Sequence, residues 1–289
     1  MNRKLISIII PAHNEENVIG KCLSSLIRQD FRKKYEIIVI NDGSIDKTKK
    51  IVKRYPVKLL NFKKDHSASF ARNQGSKIAK GKYLIFVDAD MIVPKNFVKR
   101  IESYLPFDCL SYHVLSYKPK TIFQRAWSAY RKYIDKPIEG EAKHCIHCIK
   151  KELFKKVGGY NEKIFYFEDS DLRGRILKST ANYRVSDIMV LHIDPKGLSD
   201  FVRQRKWHAK GILSILKEKN DILALKYFVP CLFLPITYVT SILFLLYLVL
   251  FWLKFAIRTK ELINSFLWFF LDYIGRFISL FYFIKELVK

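Results

Sequence analysis

The sequence predicts a doubly wound α/β domain followed by a C-terminal hydrophobic helical hairpin. Before residue 220, short runs rich in Ile, Val and Leu alternate with amphipathic stretches, a pattern typical of parallel strands covered by helices. Polar clusters follow three of these runs directly. After residue 220 the chain becomes strongly apolar. We therefore predict two parts, residues 1–220 and residues 221–289.

Four apolar runs are predicted to form the first strands, at residues 5–12, 35–41, 57–62 and 83–88. Amphipathic helices are predicted between them, at residues 17–28, 46–55 and 67–79. In such sheets, ligands bind beyond the carboxyl ends of the strands. The polar residues that follow the runs therefore form the candidate site.

The later elements are less regular. Helices are predicted at residues 95–104, 121–134, 151–157 and 167–179, and strands at residues 144–150 and 182–193. A basic amphipathic helix is predicted at residues 199–219, immediately before the apolar region.

Lysine and arginine outnumber aspartate and glutamate by 52 to 27 in the 289 residues, which gives a net charge of +25. Such a surplus attracts phosphate groups, whether on nucleic acid, anionic lipid or a nucleotide. The five cysteines are odd in number and scattered, which argues against a disulfide framework and for a reducing compartment. No signal peptide is visible at the N-terminus.

Two apolar segments near the C-terminus predict contact with a membrane. Residues 227–253 contain no charged side chain and exceed the roughly 20 residues that a spanning helix needs. Residues 262–284 are similar but include Asp272 and Arg276, which share a helix face and can pair. The flanking charges show no clear inside–outside asymmetry. Spanning helices, a hairpin lying in the membrane plane and core helices of a soluble domain all remain open.

Asp88 ends the fourth run, and Asp90 lies two residues further along the chain. In an extended segment they point to the same side. Paired carboxylates repel one another unless a cation lies between them, and oxygen ligands suit Mg²⁺ or Mn²⁺. A motif this short is weak evidence by itself.

Five ordered motifs, at residues 7–16, 35–48, 71–75, 83–90 and 168–172, resemble those of family 2 glycosyltransferases of the GT-A fold. The resemblance spans roughly residues 4–210. It implies a GT-A mixed sheet, a nucleotide-diphosphate sugar as donor and Mg²⁺ or Mn²⁺ as cofactor.

The resemblance also implies roles for individual residues. The metal ligands would be Asp88, Asp90 and His192. The nucleotide sugar would contact Pro11, Ala12, Asn14, Glu15, Asp42, Arg72, Asp88, Ala89, Arg205 and Lys210. Glu168 and Trp207 would lie on the acceptor side. Asp169 would be the catalytic base, because inverting transfer to a hydroxyl needs a carboxylate opposite the leaving group.

Several of these residues have simpler interpretations. Asp42 begins an Asp-Gly-Ser sequence that also suits a strand-to-helix turn. Arg72 is equally consistent with a solvated helix charge, and His192 with a polar group at the end of a strand. Acidic residues such as Glu168 and Asp169 also stabilise the first turn of a helix.

Residues 203–207 depart from the Gln-x-x-Arg-Trp pattern of processive relatives, with Trp207 retained. This departure favours the addition of one sugar per acceptor. The basic side chains of this segment suit a donor pyrophosphate and anionic lipid headgroups equally well.

Cys145 and Cys148 invite a zinc interpretation, but structural zinc needs four ligands. We expect no zinc here.

The sequence therefore predicts a membrane-attached, metal-dependent glycosyltransferase in the cell membrane, with its catalytic domain facing the cytoplasm. The acceptor is expected to be lipid-linked or close to the membrane, and the membrane surface anionic. One alternative is a polyprenyl-phosphate sugar synthase, in which Asp169 would be dispensable because a phosphate acceptor needs no base. The other is a basic nucleic-acid-binding protein, although no nucleic acid is the expected partner.

Overall fold

The structure is a computed structural model that describes residues 5–30, 35–135, 145–180, 182–219, 249–250, 252–257 and 261–288. Unit 1 comprises Met1–Tyr117, Ala142–Glu162 and Phe167–Ile193. Unit 2 comprises Lys118–Glu141, Lys163–Tyr166 and Asp194–Lys289. These units divide the chain at other points than the predicted boundary at residue 220, which lies outside the described residues and stays a prediction.

Unit 1 is built on an eight-stranded mixed sheet. The strands are β1 (Ile6–Ala12), β2 (Tyr35–Asp42), β3 (Lys58–Phe62), β4 (Tyr83–Phe86), β5 (Met91–Ile92), β6 (Cys109–Ser116), β7 (Cys148–Lys150) and β8 (Tyr183–His192). Their order in the sheet is β3-β2-β1-β4-β7-β6-β8-β5. Strands β1, β2, β3 and β4 are parallel, β7 is antiparallel to β4 and β6, β6 is parallel to β8, and β5 is antiparallel to β8. The prediction of a mixed α/β sheet is confirmed.

Both faces of the central strands are buried, as their unbroken apolar runs predict. Ile8, Ile9 and Ile10 of β1 have no exposed surface, although they point alternately to opposite faces. The helices of unit 1 are α1 (Ile19–Ile27), α2 (Thr48–Val52), α3 (Ala68–Ile78), α4 (Phe97–Ser103), α6 (Lys151–Lys156) and α7 (Glu168–Leu177). Helix α1 buries Cys22, Leu23 and Leu26, as its amphipathic pattern predicts.

The predicted strand at residues 83–88 is too long. Strand β4 ends at Phe86, and the chain then turns, with the Met91 N–H donating to the Asp88 carbonyl at 3.0 Å. Strand β7 begins only at Cys148. Strand β6 falls where no strand was predicted. Its buried segment contains Ser111, which has no exposed surface and interrupts the apolar run that would have indicated a strand.

A buried carboxylate joins three segments at the amino-terminal ends of the strands. Glu36, 4% exposed, accepts from the Ser7 hydroxyl at 2.7 Å and from the Lys80 N–H at 2.6 Å, and it pairs with Lys58 at 2.8 Å. Burial raises the pKa of Glu36, but the hydrogen bonds from Lys58, Ser7 and Lys80 outweigh it and the net shift is downward. Glu36 therefore has a structural role, at the edge of the sheet opposite the candidate site.

Unit 2 contains three long helices, α5 (Ile122–Asp135), α8 (Leu198–Lys219) and α9 (Leu262–Leu287). Trp268 of α9 stacks on Tyr130 of α5, with 4.2 Å between ring centroids. Phe283 of α9 packs with Ala209, Ile212 and Leu213 of α8. Helix α9 is long and apolar enough to cross a membrane, by length and composition alone. Most of the first predicted apolar segment, residues 227–253, lies outside the described residues.

Candidate active site

The loops that follow β1 and β2 are joined by hydrogen bonds. Asn14 has a φ of 57°, a left-handed conformation that Asn tolerates better than most residues. Its N–H donates to the Ser44 hydroxyl at 2.9 Å, and its side-chain oxygen accepts from the Ile45 N–H at 2.9 Å. The Glu15 N–H donates to the Thr48 hydroxyl at 2.7 Å. The two loops are therefore held as one structure beside the ends of their strands.

Asp42, at the end of β2, is 2% exposed and bound on both carboxylate oxygens. Oδ1 lies 2.7 Å from Nδ1 of His66. Oδ2 accepts from the N–H groups of His66 and Ser67, at 2.9 and 3.0 Å. Asp42 therefore fixes the chain where it enters α3, and it also carries His66, whose ring stacks on Phe70 at 4.1 Å. The predicted contact of Asp42 with a nucleotide base stays a prediction.

Arg72 is not a solvated helix charge, because its side chain is only 7% exposed. One guanidinium nitrogen lies 2.9 Å from Asp88 Oδ1, and another lies 3.0 Å from Glu168 Oε1. The guanidinium also lies over the ring of Tyr160, 5.1 Å from its centroid, an arrangement that favours a cation. Arg72 thus connects Asp88, two residues beyond the end of β4, to the start of α7.

Glu168 and Asp169 occupy the first turn of α7. Burial, together with the negative charge of Asp169, raises the pKa of Glu168 to about 7 even though Arg72 opposes the shift. Burial likewise raises the pKa of Asp169, against the lowering effect of Arg72 and of hydrogen bonds to Tyr160 and Cys145. A carboxyl group with a raised pKa is a stronger base when ionised.

Phe167, which precedes this pair, has a φ of 66°. A bulky side chain rarely adopts this left-handed conformation, which costs on the order of 1–3 kcal/mol. The chain therefore enters α7 through a strained residue directly before the two carboxylates.

Tyr160 and Asn73 were not predicted from the sequence, yet both shape this site. The Asn73 amide donates to the Tyr160 carbonyl at 2.9 Å and to Glu162 at 2.8 Å, and it accepts from the Tyr160 N–H at 2.9 Å. It thereby fixes Tyr160, whose hydroxyl hydrogen-bonds Asp169. The available signals were the position of Asn73 beside Arg72 and of Tyr160 after the Gly158-Gly159 turn.

Asp88 and Asp90 do not point to one side from a strand, because both lie beyond the end of β4. Asp88 pairs with Arg72, whereas Asp90 Oδ2 lies 3.1 Å from Nε2 of His192 at the end of β8. The Ile193 N–H also donates to the Asp90 carbonyl at 2.9 Å. Among the described residues, no group of three or more His, Cys, Asp or Glu side chains is arranged to hold a metal ion.

The profile of the family described as "Glycosyl transferase family 2" matches residues 7–157, more than half of the chain. The chain belongs to this family.

This family 2 chain spans only part of the length of the curated relatives that it matches. An uncharacterized glycosyltransferase of Rickettsia typhi is 28% identical over 200 residues, which cover 64% of this chain and 63% of the relative. The poly(ribitol-phosphate) β-N-acetylglucosaminyltransferase TarS of Staphylococcus aureus is 35% identical over 106 residues, or 34% of this chain and 18% of TarS. A poly(ribitol-phosphate) β-glucosyltransferase of Bacillus spizizenii is 40% identical over 92 residues, or 29% of this chain and 14% of the relative.

Solved structures confirm the GT-A fold predicted for the family 2 chain. Residues 1–349 of Staphylococcus aureus TarS, in complex with UDP-GlcNAc, give a TM-score of 0.55 at 18% identity, covering 96% of this chain and 91% of that one. A mannosyltransferase of Pyrobaculum calidifontis, in complex with GDP-Man and Mn²⁺, gives a TM-score of 0.58 at 16% identity, covering 92% and 86%.

The side chains of Asp90 and His192 fit a divalent cation whose remaining ligands come from a bound substrate. A carboxylate oxygen and an imidazole nitrogen lie together, and Mn²⁺ accepts both kinds of ligand. Mg²⁺ is usually held by one or two carboxylates together with substrate phosphates, without an all-protein cage. Asp88 is already bound by Arg72, so its participation as a third ligand stays a prediction.

Three predicted site residues lie in unit 2. Arg205 is 1% exposed and pairs with Asp272 of the same unit at 3.4 Å, with Phe201 beneath its guanidinium. Trp207 is 45% exposed, and Lys210 is exposed as well. The described contacts give Arg205 a structural role inside unit 2. The donor-side roles of Arg205 and Lys210 and the acceptor-side role of Trp207 stay predictions.

Proposed function

We propose that this protein is a membrane-attached, metal-dependent inverting glycosyltransferase. It transfers a single sugar from a nucleotide-diphosphate sugar to a hydroxyl of a lipid-linked or membrane-proximal glycan acceptor, on the cytoplasmic side of the cell membrane. The observation that carries the proposal is the bridge from Asp88 through Arg72 to Glu168. This bridge links the proposed donor side of the site to the helix turn that holds the proposed base.

In the proposed reaction, Asp169 accepts the proton of the acceptor hydroxyl as that oxygen attacks the anomeric carbon, and the bond from this carbon to the diphosphate oxygen breaks, so that the nucleoside diphosphate leaves on the opposite side. Tyr160 and Cys145 hydrogen-bond Asp169, which orients the carboxylate. Arg72 supplies a fixed positive charge between Asp88 and Glu168 and holds the two carboxylates at fixed positions. The raised pKa of Glu168 favours its protonated form, which limits repulsion next to Asp169.

The donor is proposed to lie at the ends of β1, β2 and β4. Pro11 and Ala12 end β1 beside it, Asn14 and Glu15 follow in the first loop, and Asp42 ends the neighbouring strand β2. The diphosphate is proposed to lie near Asp88, Ala89, Asp90 and His192. A divalent cation bound by Asp90 and His192, with Asp88 nearby, would stabilise negative charge on the departing diphosphate. Support comes from the UDP-GlcNAc and GDP-Man complexes of the structural neighbours.

The test is a donor panel. Purified protein with Mn²⁺ is incubated with UDP- and GDP-sugars, and both thermal protection and donor hydrolysis are recorded. We expect one donor to protect the protein and to be hydrolysed. Asp90→Asn is expected to weaken metal-dependent donor protection. Protection by no donor at all would contradict the proposal.

A second test separates this function from synthesis of a polyprenyl-phosphate sugar. Asp169→Asn should leave thermal protection by the nucleotide sugar intact and lower the rate of transfer to a hydroxyl acceptor by roughly a hundredfold or more. Ser170→Ala, which changes the exposed next residue of the same helix turn, is the control and should retain transfer. Full activity of Asp169→Asn on a polyprenyl phosphate would support the alternative synthase function.

A further inference from the structure

Helix α9 exposes a continuous line of large apolar side chains. They recur every three, four or seven residues and therefore lie on one helix face. We name this surface the α9 stripe; its members are Ile263, Phe266, Phe270, Ile274, Phe281 and Ile284. Each is at least 37% exposed, and Ile263 reaches 74%. More than half of the exposed large apolar side chains among the described residues fall between residues 249 and 288.

The opposite face of α9 carries the polar groups. Asp272 pairs with Arg276 at 2.9 Å and with Arg205 of α8 at 3.4 Å. The Ser279 hydroxyl donates to the Arg205 carbonyl at 3.0 Å, and Ser279 has no exposed surface. This distribution is the reverse of that of a helix on a water-exposed surface, which normally turns its charges outward and its Phe and Ile side chains inward. It suits a helix whose outer side contacts hydrocarbon.

Helix α8 argues against α9 crossing the bilayer. The contacts of Arg205 with Asp272 and of Leu213 with Phe283 show that α8 follows α9 over several turns. Over that length α8 bears exposed charges, including Arg203 at 80% exposure, Lys206 and Lys210. If α9 spanned the bilayer, these charges would be carried towards its apolar centre, where charged side chains are costly.

We infer that α9 lies in the plane of the membrane, with the α9 stripe inserted at the boundary between headgroups and acyl chains of an anionic bilayer. Lys285 is exposed next to Ile284 of the α9 stripe, and basic residues at that depth attract anionic headgroups. The inference rests on the membrane attachment in the proposed function, but not on the transfer chemistry. The protein would therefore be held on one leaflet by α9.

The first experiment measures topology in the full chain. Leu262→Cys and Lys285→Cys place a thiol near each end of α9, at exposed positions. The protein is added to preformed sealed vesicles of phosphatidylcholine and phosphatidylglycerol, treated with a membrane-impermeant maleimide and analysed peptide by peptide by mass spectrometry. Lys50→Cys, at an exposed position of α2, marks the outside. Labelling of both α9 thiols to the same extent as this marker supports the inference, and protection of either end overturns it.

The second experiment asks what covers the stripe. Phe270→Trp is compared with Ile122→Trp, an exposed apolar position on α5, in vesicles of brominated lipid. After subtraction of the parental signal, the Phe270→Trp fluorescence should be quenched at least twofold more strongly. Equal quenching would mean that residues 220–248 or a second copy of the chain covers the stripe, and would overturn the inference. Donor hydrolysis in the same vesicles reports the transfer chemistry separately.

Discussion

At the scale of single residues, the site depends on side chains that hold other side chains. Asn73 is the clearest case, because one amide satisfies both backbone groups of Tyr160 and also contacts Glu162. Tyr160 in turn lies under Arg72 and hydrogen-bonds Asp169. A change at Asn73 is therefore expected to affect the proposed base, Asp169, indirectly through Tyr160.

Asn73→Asp should weaken the site by removing the two N–H donors of the amide. We expect a loss of about 1–3 kcal/mol in the free energy of unfolding, since the Tyr160 carbonyl loses its partner. Transfer activity should fall by roughly tenfold or more, because the base is displaced. Gln74→Glu, the same chemical change at the next residue, is the control, since Gln74 has no described hydrogen bond. Denaturant unfolding and steady-state kinetics measure both effects, and equal behaviour of the two variants would contradict the prediction.

His208 of α8 should make folding sensitive to pH. Burial and the nearby charges of Arg205 and Arg276 lower its pKa from 6.5 to about 3. Between these values the unfolded chain binds a proton that the folded protein does not, so the free energy of unfolding falls as the pH falls. We expect a contribution of about 2 kcal/mol to be lost by about pH 5.

His208→Gln tests this expectation through the slope of stability against pH, whatever its effect on stability near neutrality. Denaturant unfolding is measured in steps from about pH 7.5 to about pH 5. The variant should show a flatter dependence than the parent protein. An unchanged slope would mean that His208 does not account for it.

At the scale of elements, α9 approaches α8 closely at Gly275. A Cβ atom there would lie 2.7 Å from Arg205 Nε and 2.8 Å from Phe201 Cζ, and neither side chain has room to move because both are at most 1% exposed. The absence of a side chain therefore sets the spacing of these two helices.

Gly275→Ala should destabilise unit 2 by about 1–3 kcal/mol, as expected when a methyl group is forced into a packed interface. Gly174→Ala is the matched control, because a Cβ at Gly174 of α7 meets nothing within 4 Å. That variant should be neutral or more stable by up to about 1 kcal/mol, since alanine favours a helix interior. Thermal unfolding of the two variants side by side gives the answer. Loss of stability in Gly174→Ala but not in Gly275→Ala would contradict the conclusion that Gly275 sets the spacing of α8 and α9.

Helices and buried strands were predictable from the sequence because their side-chain periodicity states which faces are buried. The predicted helix at residues 67–79 differs by only one residue at each end from α3, Ala68–Ile78. Strand β6 was not predictable, because the burial of Ser111 depends on its bonds to Cys145 and Tyr183, distant in the chain. The interpretation of Asp88 and Asp90 as strand residues was wrong for a related reason, since the turn after Phe86 has no Gly or Pro to indicate it.

The site was predictable as a set of residues but not as a set of contacts. The motifs identified Arg72, Asp88 and Glu168 without stating that the guanidinium lies between the two carboxylates. Asp42 was correctly placed at the end of a strand, but its bond to His66 depends on the path of the chain between β3 and α3. Such pairings follow from tertiary structure, which spacing alone does not encode.

At the scale of the whole molecule, the net charge of +25 predicts ionic-strength effects that distinguish lipid from nucleic acid. We expect any DNA binding to be lost as NaCl rises from about 0.05 M to about 0.3 M, because it rests on phosphate contacts alone. Binding to anionic vesicles should persist, since burial of apolar side chains is not screened by salt. Co-sedimentation with DNA and flotation with vesicles, measured over one salt series, test this. Salt-resistant DNA binding would favour the nucleic-acid alternative.

The connection at Glu36 has a consequence for the behaviour of unit 1 in acid. Its lowered pKa stabilises the fold above the ordinary carboxyl range and ceases to do so as the solution is acidified. The raised pKa of Glu168 works the other way, because its contribution favours the fold in acid and is lost as the pH rises towards neutrality and the carboxyl group ionises. Acidification therefore removes a stabilising contribution at the amino-terminal edge of the sheet, while it relieves the repulsion between the buried carboxylates at the candidate site.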